Sequence, residues 1–279
     1  MARELRRLLI APERLGARAL ELEREEAHYL SRVLRLRPGD RFAVVDGAGR
    51  LWSAALQASD RADLEQPLAA PLQVEPPPAV PLELAVALPR RDADVLLRMV
   101  CELGMDRLIP LQAERNVDPE PLKPGRAITI LREAVEQCER LWQPALAPPL
   151  PAEALLGAPP AAGLGRGVVC TTRQAGTPLL GEVLAALDPV ADEGLGAATG
   201  AAPGALTGAL RGALTVAIGP EGGWTPREEA LAQENGWQAV SLGDTILRCS
   251  TAAVAAAALL SHWRAQRLAS CGTCRKPCP

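Results

Sequence analysis

The chain has 279 residues, of which 48% are hydrophobic, with 30 Lys and Arg against 33 Asp and Glu. This length provides a substantial core for one large domain or two smaller ones. The net charge of -3 argues against a uniformly basic protein that binds polyanions nonspecifically. No apolar run approaches the length of about eighteen residues that a membrane helix needs. The first residues do not resemble a secretory signal, so we expect a cytoplasmic protein without membrane contact.

The cysteines are unevenly placed. Four of the seven are dispersed through apolar or helical stretches, as buried free thiols in a reducing compartment usually are. The other three, Cys271, Cys274 and Cys278, crowd the C-terminus. We predict that residues 269–279 are a disordered tail without metal, because a single C-x-x-C is a weak signal. Zinc binding with a fourth ligand from His262 or from another chain is the alternative.

Residues 1–75 are predicted to form a small β-rich domain. The segments 41–46 and 51–56 flank an Asp-Gly turn signal and therefore indicate a hairpin. Residues 28–40 predict a short helix whose apolar side carries Leu30, Val33, Leu34 and Leu36. We expect a structural hydrogen bond at His28. The proline-rich segment 76–81 is typical of a linker.

The pattern after the linker alternates between strands and helices. Alternation of this kind indicates an α/β domain with a mostly parallel sheet. Residues 188–212 are rich in Gly and Ala and are predicted to be a mobile insertion. The predicted strands are 82–88, 108–111, 168–171, 214–218 and 239–242, and the predicted helices are 92–103, 128–142, 179–187, 225–235 and 251–267. The helix at 225–235 has the clearest start, with Thr225 as cap, Pro226 in the first turn and Glu228 completing a capping box.

Two glycine-bearing loops follow predicted strands. Residues 218–224 (IGPEGGW) join a strand to a capped helix, and ligands of α/β sheets gather at the carboxyl ends of strands. The spacing matches neither a Walker loop nor G-x-G-x-x-G, and a purely structural tight turn is an equally good interpretation of this loop alone. Residues 242–251 (LGDTILRCST) again join a strand to a helix. Together the loops could enclose a flat adenine in a largely apolar pocket. We expect Trp224 and Trp237 to be core residues.

The motifs IGPEGGWTPREE at 218–229 and LGDTILRCSTAAVAA at 242–256 resemble those of the bacterial 16S ribosomal RNA uridine-N3 methyltransferase family (RsmE). This family belongs to the SPOUT superfamily of knotted methyltransferases. The resemblance extends to HYLSRVLRLRPGD at 28–40, CELGMDRLIPLQAERNV at 101–117 and EQC at 136–138, so it covers most of the chain. The last three blocks are supportive, whereas the first two are quite specific.

The resemblance implies an S-adenosylmethionine (SAM)-dependent enzyme that methylates N3 of a uridine in 16S ribosomal RNA of the small ribosomal subunit. It implies a PUA-like β-barrel domain at 1–75, and a SPOUT-type knotted α/β methyltransferase domain at 80–268 that forms a homodimer. General topology rules would not predict the knot. The SAM pocket of the family corresponds here to Ile218, Gly219, Pro220, Glu221, Gly222, Gly223, Leu242, Gly243, Ile246, Leu247 and Arg248.

The chain departs from the family pattern at three places. The family usually has Glu where Ser250 stands, Lys where Met99 stands, and Asn-Arg shortly after E-Q-C, where residues 140–142 read Arg-Leu-Trp. The SAM loops are intact, so these changes bear on the target base or on the partner subunit.

Catalysis at N3 requires alignment of the reactants and removal of a proton. We expect Arg248 and Glu221 to contribute to catalysis, with Glu114 and Glu136 as further candidates for the general base by family position. Each of these carboxylates could equally be a solvated or capping residue, and Arg248 could form a salt bridge at a helix start. Base flipping is a reasonable requirement. The candidate RNA contacts are arginines that could form a local phosphate track, namely Arg6, Arg7, Arg32, Arg35, Arg90, Arg91 and Arg115.

Two other function classes compete with this hypothesis. Ser250 and Met99 suggest a catalytically silent SPOUT-fold protein that binds RNA or assists ribosome assembly. A hydrolase or nucleotide-binding enzyme could use the glycine-rich turn, but the sequence has no triad, metal cluster or phosphate loop to support it.

Overall fold

The structure is a computed structural model that describes residues 5–16, 18–117, 123–160, 166–172, 174, 176–187 and 212–270. These residues form two compact units. One unit contains the described residues up to Pro77 together with Arg132–Gln143, and the other contains Pro78–Leu131 and the described residues from Pro144 onwards. The sequence did not indicate that residues 132–143 would join the first unit.

The first unit is built on a sheet with the order β1-β3-β4-β5-β2, in which β6 also pairs with β4. The predicted hairpin is confirmed, because β3 and β4 pair antiparallel with Val45 opposite Leu51. The Asp46 carboxylate accepts the backbone N–H groups of Ala48 and Arg50 and so closes the turn. The strands are β1 (Arg7–Leu9), β2 (Ala19–Glu21), β3 (Arg41–Val45), β4 (Arg50–Ala58), β5 (Arg61–Leu64) and β6 (Gln73–Val74).

The helix predicted at 28–40 is placed differently in the structure. Helix α1 covers Arg24–His28 and continues as a π-helical turn at Tyr29–Val33. The wider π-helical turn changes the angular spacing of the side chains, so Leu30 is buried whereas Val33 is 59% exposed. The predicted placement of Val33 on the same side as Leu30 is therefore wrong. His28 is exposed in the last turn of α1, and the structure shows no hydrogen bond of its side chain among the described residues.

The second unit contains a mostly parallel sheet with the order β10-β8-β7-β12-β11-β13, and β9 also pairs with β8. This confirms the predicted α/β class. Strand β12 covers the predicted residues, and all five of its side chains are buried, as is typical of a central parallel strand. The strands are β7 (Leu82–Val86), β8 (Arg107–Gln112), β9 (Ala145–Leu146), β10 (Leu150–Pro151), β11 (Arg166–Cys170), β12 (Leu214–Ile218) and β13 (Gln238–Val240).

Of the remaining helices in the described residues, four agree with the predictions within a few residues, one is shifted further, and the short one at Ala152–Leu156 was not predicted. These helices are α2 (Ala93–Glu102), α3 (Pro124–Gln137), α4 (Ala152–Leu156), α5 (Leu180–Ala186), α6 (Pro226–Glu234) and α7 (Cys249–Ser270). Helix α3 begins four residues before the predicted start at 128 and ends at Gln137, because Glu139 adopts a left-handed conformation that an α-helix cannot continue. The predicted insertion at 188–212 and the cysteine tail lie almost entirely outside the described residues.

The strand order of the second unit brings three loops to one edge. Strand β11 pairs in parallel with β12 on one side and with β13 on the other. The residues that follow these three strands must therefore lie next to each other at the carboxyl edge of the sheet. Beneath them, Ala217, Trp224 and Trp237 pack in one buried apolar cluster, which confirms that both tryptophans are core residues.

Candidate cofactor site

A cleft of about 270 Å³ opens at this carboxyl edge. Its walls are the loops that follow β11, β12 and β13, together with the start of α7. Both glycine-bearing loops singled out in the sequence are present, and ten of the eleven predicted cofactor residues line the cleft. These are Ile218, Gly219, Pro220, Glu221, Gly222, Gly223, Leu242, Gly243, Ile246 and Leu247.

The loop after β12 is held at its far end by a buried carboxylate. Glu228 is fully buried and accepts the Thr225 N–H at 2.8 Å, while its other oxygen accepts the Glu114 N–H at 3.0 Å. The Thr225 hydroxyl in turn accepts the Glu228 N–H at 3.2 Å. The predicted capping box is thus confirmed, and it also ties the loop after β8 to the start of α6.

Trp224 forms the floor of the same loop. Its indole N–H donates to the Cys170 carbonyl at 2.9 Å, and the ring is 6% exposed. A Cβ atom added at Gly219 would lie only 2.9 Å from the ring atom Cε2. Because atoms cannot approach so closely without displacement, residue 219 must be glycine for the loop to lie directly against this ring.

Arg115 supports the loop from the side. Its Nη1 donates to the carbonyls of Gly222 at 3.1 Å and of Trp224 at 3.0 Å. The sequence placed Arg115 among the RNA contacts, whereas the structure places it on the cleft wall with hydrogen bonds to the loop backbone. Its guanidinium fixes the backbone of residues 222–224, which makes it a positioning residue of the cleft.

The second loop, between β13 and α7, turns at Gly243. The Ser241 hydroxyl donates to the Gly243 carbonyl at 3.0 Å, and φ of Gly243 is +132°, a conformation that side chains rarely adopt. Ile246 is 64% exposed and lines the cleft with Leu247. These apolar side chains beside backbone groups suit a flat, weakly polar ring system.

Two thiols close the base of the cleft. Burial raises the pKa of Cys170 to about 12. Burial, with a smaller contribution from the charge of Glu221, raises the pKa of Cys249 to about 12. The Cys249 thiol also donates to the Ala87 carbonyl at 3.0 Å. Both thiols therefore stay protonated near neutral pH and serve as packing groups, because the thiolate is the nucleophilic form.

Sequence reasoning missed one polar pair in the cleft. The buried Thr171, which follows β11, donates its hydroxyl to Glu229 Oε1 at 3.0 Å, and both residues line the cleft. Thr171 lies at a strand end, the signal that identified the other two loops. Its place in the cleft follows from the strand order, because β11 lies between β12 and β13.

The proposed catalytic residues occupy different places. Glu221 lies in the cleft wall and is exposed, whereas Arg248 is exposed immediately before α7 and does not line the cleft. Glu114 is exposed and its backbone N–H donates to Glu228. Glu136 belongs to the first unit, where it accepts the Leu9 N–H at 2.9 Å. Burial raises the pKa of Glu136 despite that hydrogen bond and the nearby Arg132.

The other predicted RNA contacts differ in accessibility. Arg7 is committed to the backbone carbonyl and the carboxylate of Glu139, so its guanidinium is poorly available to phosphate. The remaining candidates are exposed, and they are Arg6, Arg32 and Arg35 in the first unit and Arg90 and Arg91 in the second. Within the described ranges, no group of His, Cys, Asp and Glu side chains is arranged to hold a metal ion, and no helix is both long and apolar enough to cross a membrane.

Comparison with known proteins defines the class. The family model of an RNA methyltransferase domain matches residues 75–261, and that of an RNA methyltransferase PUA domain matches residues 22–65. The first match covers most of the chain. The fold with its cleft therefore belongs to an RNA methyltransferase that carries a PUA domain.

The particular family follows from a curated relative. The chain is 35% identical over 261 residues to the ribosomal RNA small subunit methyltransferase E of Synechocystis sp., covering 91% of this chain and 77% of the relative. The chain belongs to the ribosomal RNA small subunit methyltransferase E family, which confirms the resemblance noted in its motifs.

Solved structures agree with this assignment. The ribosomal RNA small subunit methyltransferase E of Neisseria gonorrhoeae bound to SAM is 25% identical, has a TM-score of 0.70, and is matched over 93% of this chain and 98% of that chain. A probable rRNA methyltransferase of Porphyromonas gingivalis is 20% identical and shares the fold, with a TM-score of 0.72 over 94% and 99% of the two chains.

Proposed function

We propose that this protein transfers a methyl group from SAM to N3 of a specific uridine in the 16S ribosomal RNA of the small ribosomal subunit. The observation that carries the proposal is the convergence of both family motifs on one cleft, whose lining includes ten of the residues that the family resemblance implies for the SAM pocket. The same fold holds SAM in the Neisseria gonorrhoeae relative. We place the reaction in the cytoplasm, where small ribosomal subunits are found.

The residues of the cleft fit the cofactor. A Cβ at Gly219 would meet Trp224, and a Cβ at Gly222 would lie 3.1 Å from Arg115 Cβ. Glycine at both positions therefore lets the loop backbone lie close to these side chains. Ile246 and Leu247 offer apolar contacts for adenine, and the loop backbone offers hydrogen bonds for its edge. The pocket proposal therefore includes the ten lining residues, with Arg248 at its margin.

When bound, SAM supplies a methyl group on a positively charged sulfur. The chain's own residues then have two tasks. The loops orient the reactants, which supplies most of the expected acceleration, and a carboxylate accepts the N3 proton of the uridine. Glu221 is our candidate for the proton acceptor because it is exposed in the cleft wall. Glu136 is less suited, since it is engaged with Leu9 and Arg132 in the first unit.

RNA binding is assigned to a small set of exposed arginines, because the chain as a whole is slightly acidic. Arg6, Arg32 and Arg35 belong to the unit that contains the PUA match, and Arg90 and Arg91 belong to the methyltransferase unit. Because N3 lies on the Watson–Crick edge, the uridine must leave its base pair before it reacts.

We further propose a homodimer formed through α2 and α7. Val95 and Met99 on α2 and Leu259 and Leu268 on α7 are exposed apolar side chains, and the two helices pack on each other. A second copy would cover this surface, and the apolar Met99 suits such a contact where the family usually has Lys. A monomer in sedimentation-velocity runs at micromolar concentrations would contradict this. The trefoil knot and the domain limits inferred from the sequence stay predictions.

A catalytically silent RNA-binding protein is the second candidate. It is favoured by Ser250, which is half-buried in the first turn of α7 where the family usually has Glu. A silent protein could keep the arginines and lose the cofactor. Calorimetry with SAM separates the two, because the absence of binding at millimolar SAM would favour the silent protein.

The deciding experiment measures labelled methyl transfer from SAM to small ribosomal subunits that lack the modification, followed by mapping of the modified base. We expect label at N3 of one uridine of the 16S RNA. Label at another nucleotide would retain the enzyme class and reject this substrate. No label together with SAM binding would reject methylation of this RNA.

Replacing Arg248 with Ala is expected to lower methyl transfer at least about tenfold while SAM affinity stays within about twofold. The reason is that Arg248 is exposed beside the cleft but does not line it, so it can reach the RNA without holding the cofactor. Arg227→Ala is the matched control, because Arg227 is exposed and forms a surface ion pair with Glu153. Unchanged turnover of the Arg248 variant would remove this role.

A further inference from the structure

The cleft contains a carboxylate that has no role in the proposed reaction. Glu229 lies in the first turn of α6 and lines the cleft in a half-buried position. The Thr171 hydroxyl donates to its Oε1 at 3.0 Å and so fixes the orientation of the carboxylate. Among the described residues, Oε2 of Glu229 has no hydrogen-bond or ion-pair partner. Oε2 is therefore available to accept a hydrogen bond from a ligand in the cleft.

The charges around Glu229 favour a cationic partner. The described lining residues include two carboxylates, Glu221 and Glu229, and one cation, Arg115. The Nη1 of Arg115 donates to the carbonyls of Gly222 and Trp224 rather than to either carboxylate. Among the described residues that line the cleft, carboxylates therefore outnumber cationic side chains by one.

Two parts of the cofactor could donate hydrogen bonds to this carboxylate, namely the ribose hydroxyls and the α-ammonium group of the methionine part. Adenine is neutral and finds apolar and backbone contacts in the two loops. The ribose hydroxyls are neutral donors that backbone carbonyls can accept. The α-ammonium group of the methionine part carries a full charge and three N–H donors, and a charge-assisted hydrogen bond to a carboxylate is about twice as strong as a neutral one.

We propose that Glu229, oriented by Thr171, binds the α-ammonium group of SAM and selects ligands that carry an amino-acid end. This inference rests on the proposed use of SAM and names the residue that recognises its charged end. The sulfonium lies on the same ligand but offers no N–H donor, and its charge disappears after methyl transfer. A carboxylate that recognises the ammonium group must therefore treat SAM and S-adenosylhomocysteine alike.

The test is calorimetry of the full-length protein with SAM, S-adenosylhomocysteine and 5′-methylthioadenosine, which lacks the amino-acid end. Glu229→Gln is expected to lower the affinity for the first two about tenfold and to leave 5′-methylthioadenosine within about twofold. Thr171→Val is expected to give a loss of about threefold with the same ligand pattern, because it frees the carboxylate without removing it. Glu234→Gln is the control, since Glu234 is exposed at the end of the same helix.

The outcomes separate this inference from the proposed function. If the wild-type protein does not bind SAM, both fail. If it binds SAM and Glu229→Gln binds all three ligands equally well, only the role of Glu229 is rejected. An equal loss for 5′-methylthioadenosine would place the contact on the nucleoside, and a loss confined to SAM would place it on the sulfonium; both overturn the ammonium assignment. Thermal unfolding of each variant without ligand must match the wild type, and if Glu229→Gln does not fold, the ligand pattern of Thr171→Val decides.

Discussion

Gly219→Ala is expected to weaken SAM binding roughly 100-fold, equivalent to about 2.8 kcal/mol. The new Cβ would lie 2.9 Å from Trp224, whose ring is buried and held by its hydrogen bond to the Cys170 carbonyl. Because the ring cannot move without breaking that bond, the loop backbone must move instead. The displaced backbone groups are those proposed to contact the cofactor, so the loss appears in the dissociation constant from calorimetry.

A second glycine provides the control for this change. Gly181 lies in helix α5, and a Cβ added there would meet no atom within 4 Å. Gly181→Ala should therefore bind SAM as the wild type does, and it should be slightly more stable because Ala favours helix. If Gly219→Ala kept the wild-type affinity, the loop after β12 would not be the cofactor site, whatever its resemblance to the family motif.

The fold was most predictable where one local signal determines the element. Strand β12 is an apolar run with Thr215 as its one polar residue, and α6 begins with a complete capping box. The prediction failed where local geometry departs from the ideal α-helix. The π-helical turn at Tyr29–Val33 exposes Val33, and apolar spacing cannot reveal such a turn because it assumes a constant helical period.

The cleft was predictable only in part because strand order is not local information. Both glycine-bearing loops could be found from the sequence, since each follows a predicted strand. The position of β11 between β12 and β13 could not be found from the sequence. The pairing of Thr171 with Glu229 was therefore missed. The position of Arg115 also could not be found from local sequence. Its charge suggested phosphate, but its position beside the loop assigns it to the carbonyls of Gly222 and Trp224.

In the first unit, some of the charged side chains pair with each other inside the protein. Glu26 is buried and accepts hydrogen bonds from Arg14 at 2.6 and 2.9 Å and from Arg132 at 2.7 Å. Several arginines thus form ion pairs with carboxylates of the protein and are not available to RNA. Arg7, which pairs with Glu139, is another example. The counts of acidic and basic residues therefore do not measure the charge that an RNA molecule meets.

Glu26→Gln is expected to lower the free energy of unfolding by about 3 kcal/mol at neutral pH. The substitution leaves two arginines facing a neutral amide, and removal of one partner of a buried ion pair is strongly destabilising. Glu26 also accepts the Glu23 N–H at 2.8 Å in the capping box of α1, so the loss includes part of a helix cap. Amide hydrogen exchange of β4 across a denaturant series reports on this unit, because Trp52 in β4 is buried in its core.

The dependence of this loss on pH identifies its cause. Burial alone would raise the pKa of the Glu26 carboxyl, but hydrogen bonds from Arg14 and from the Glu23 backbone, with the charges of Arg14 and Arg132, hold the pKa below its usual value. A lowered pKa contributes stability above the unfolded pKa of about 4.3, and this contribution is lost as pH falls through the folded value. The difference between wild type and Glu26→Gln should therefore be largest near pH 7 and shrink below about pH 4. Glu25→Gln, on the exposed face of the same helix, should show little change at any pH. A difference of the same size at pH 3 and pH 7 would instead assign the loss to packing, and the ion pairs of Glu26 would then not stabilise the unit.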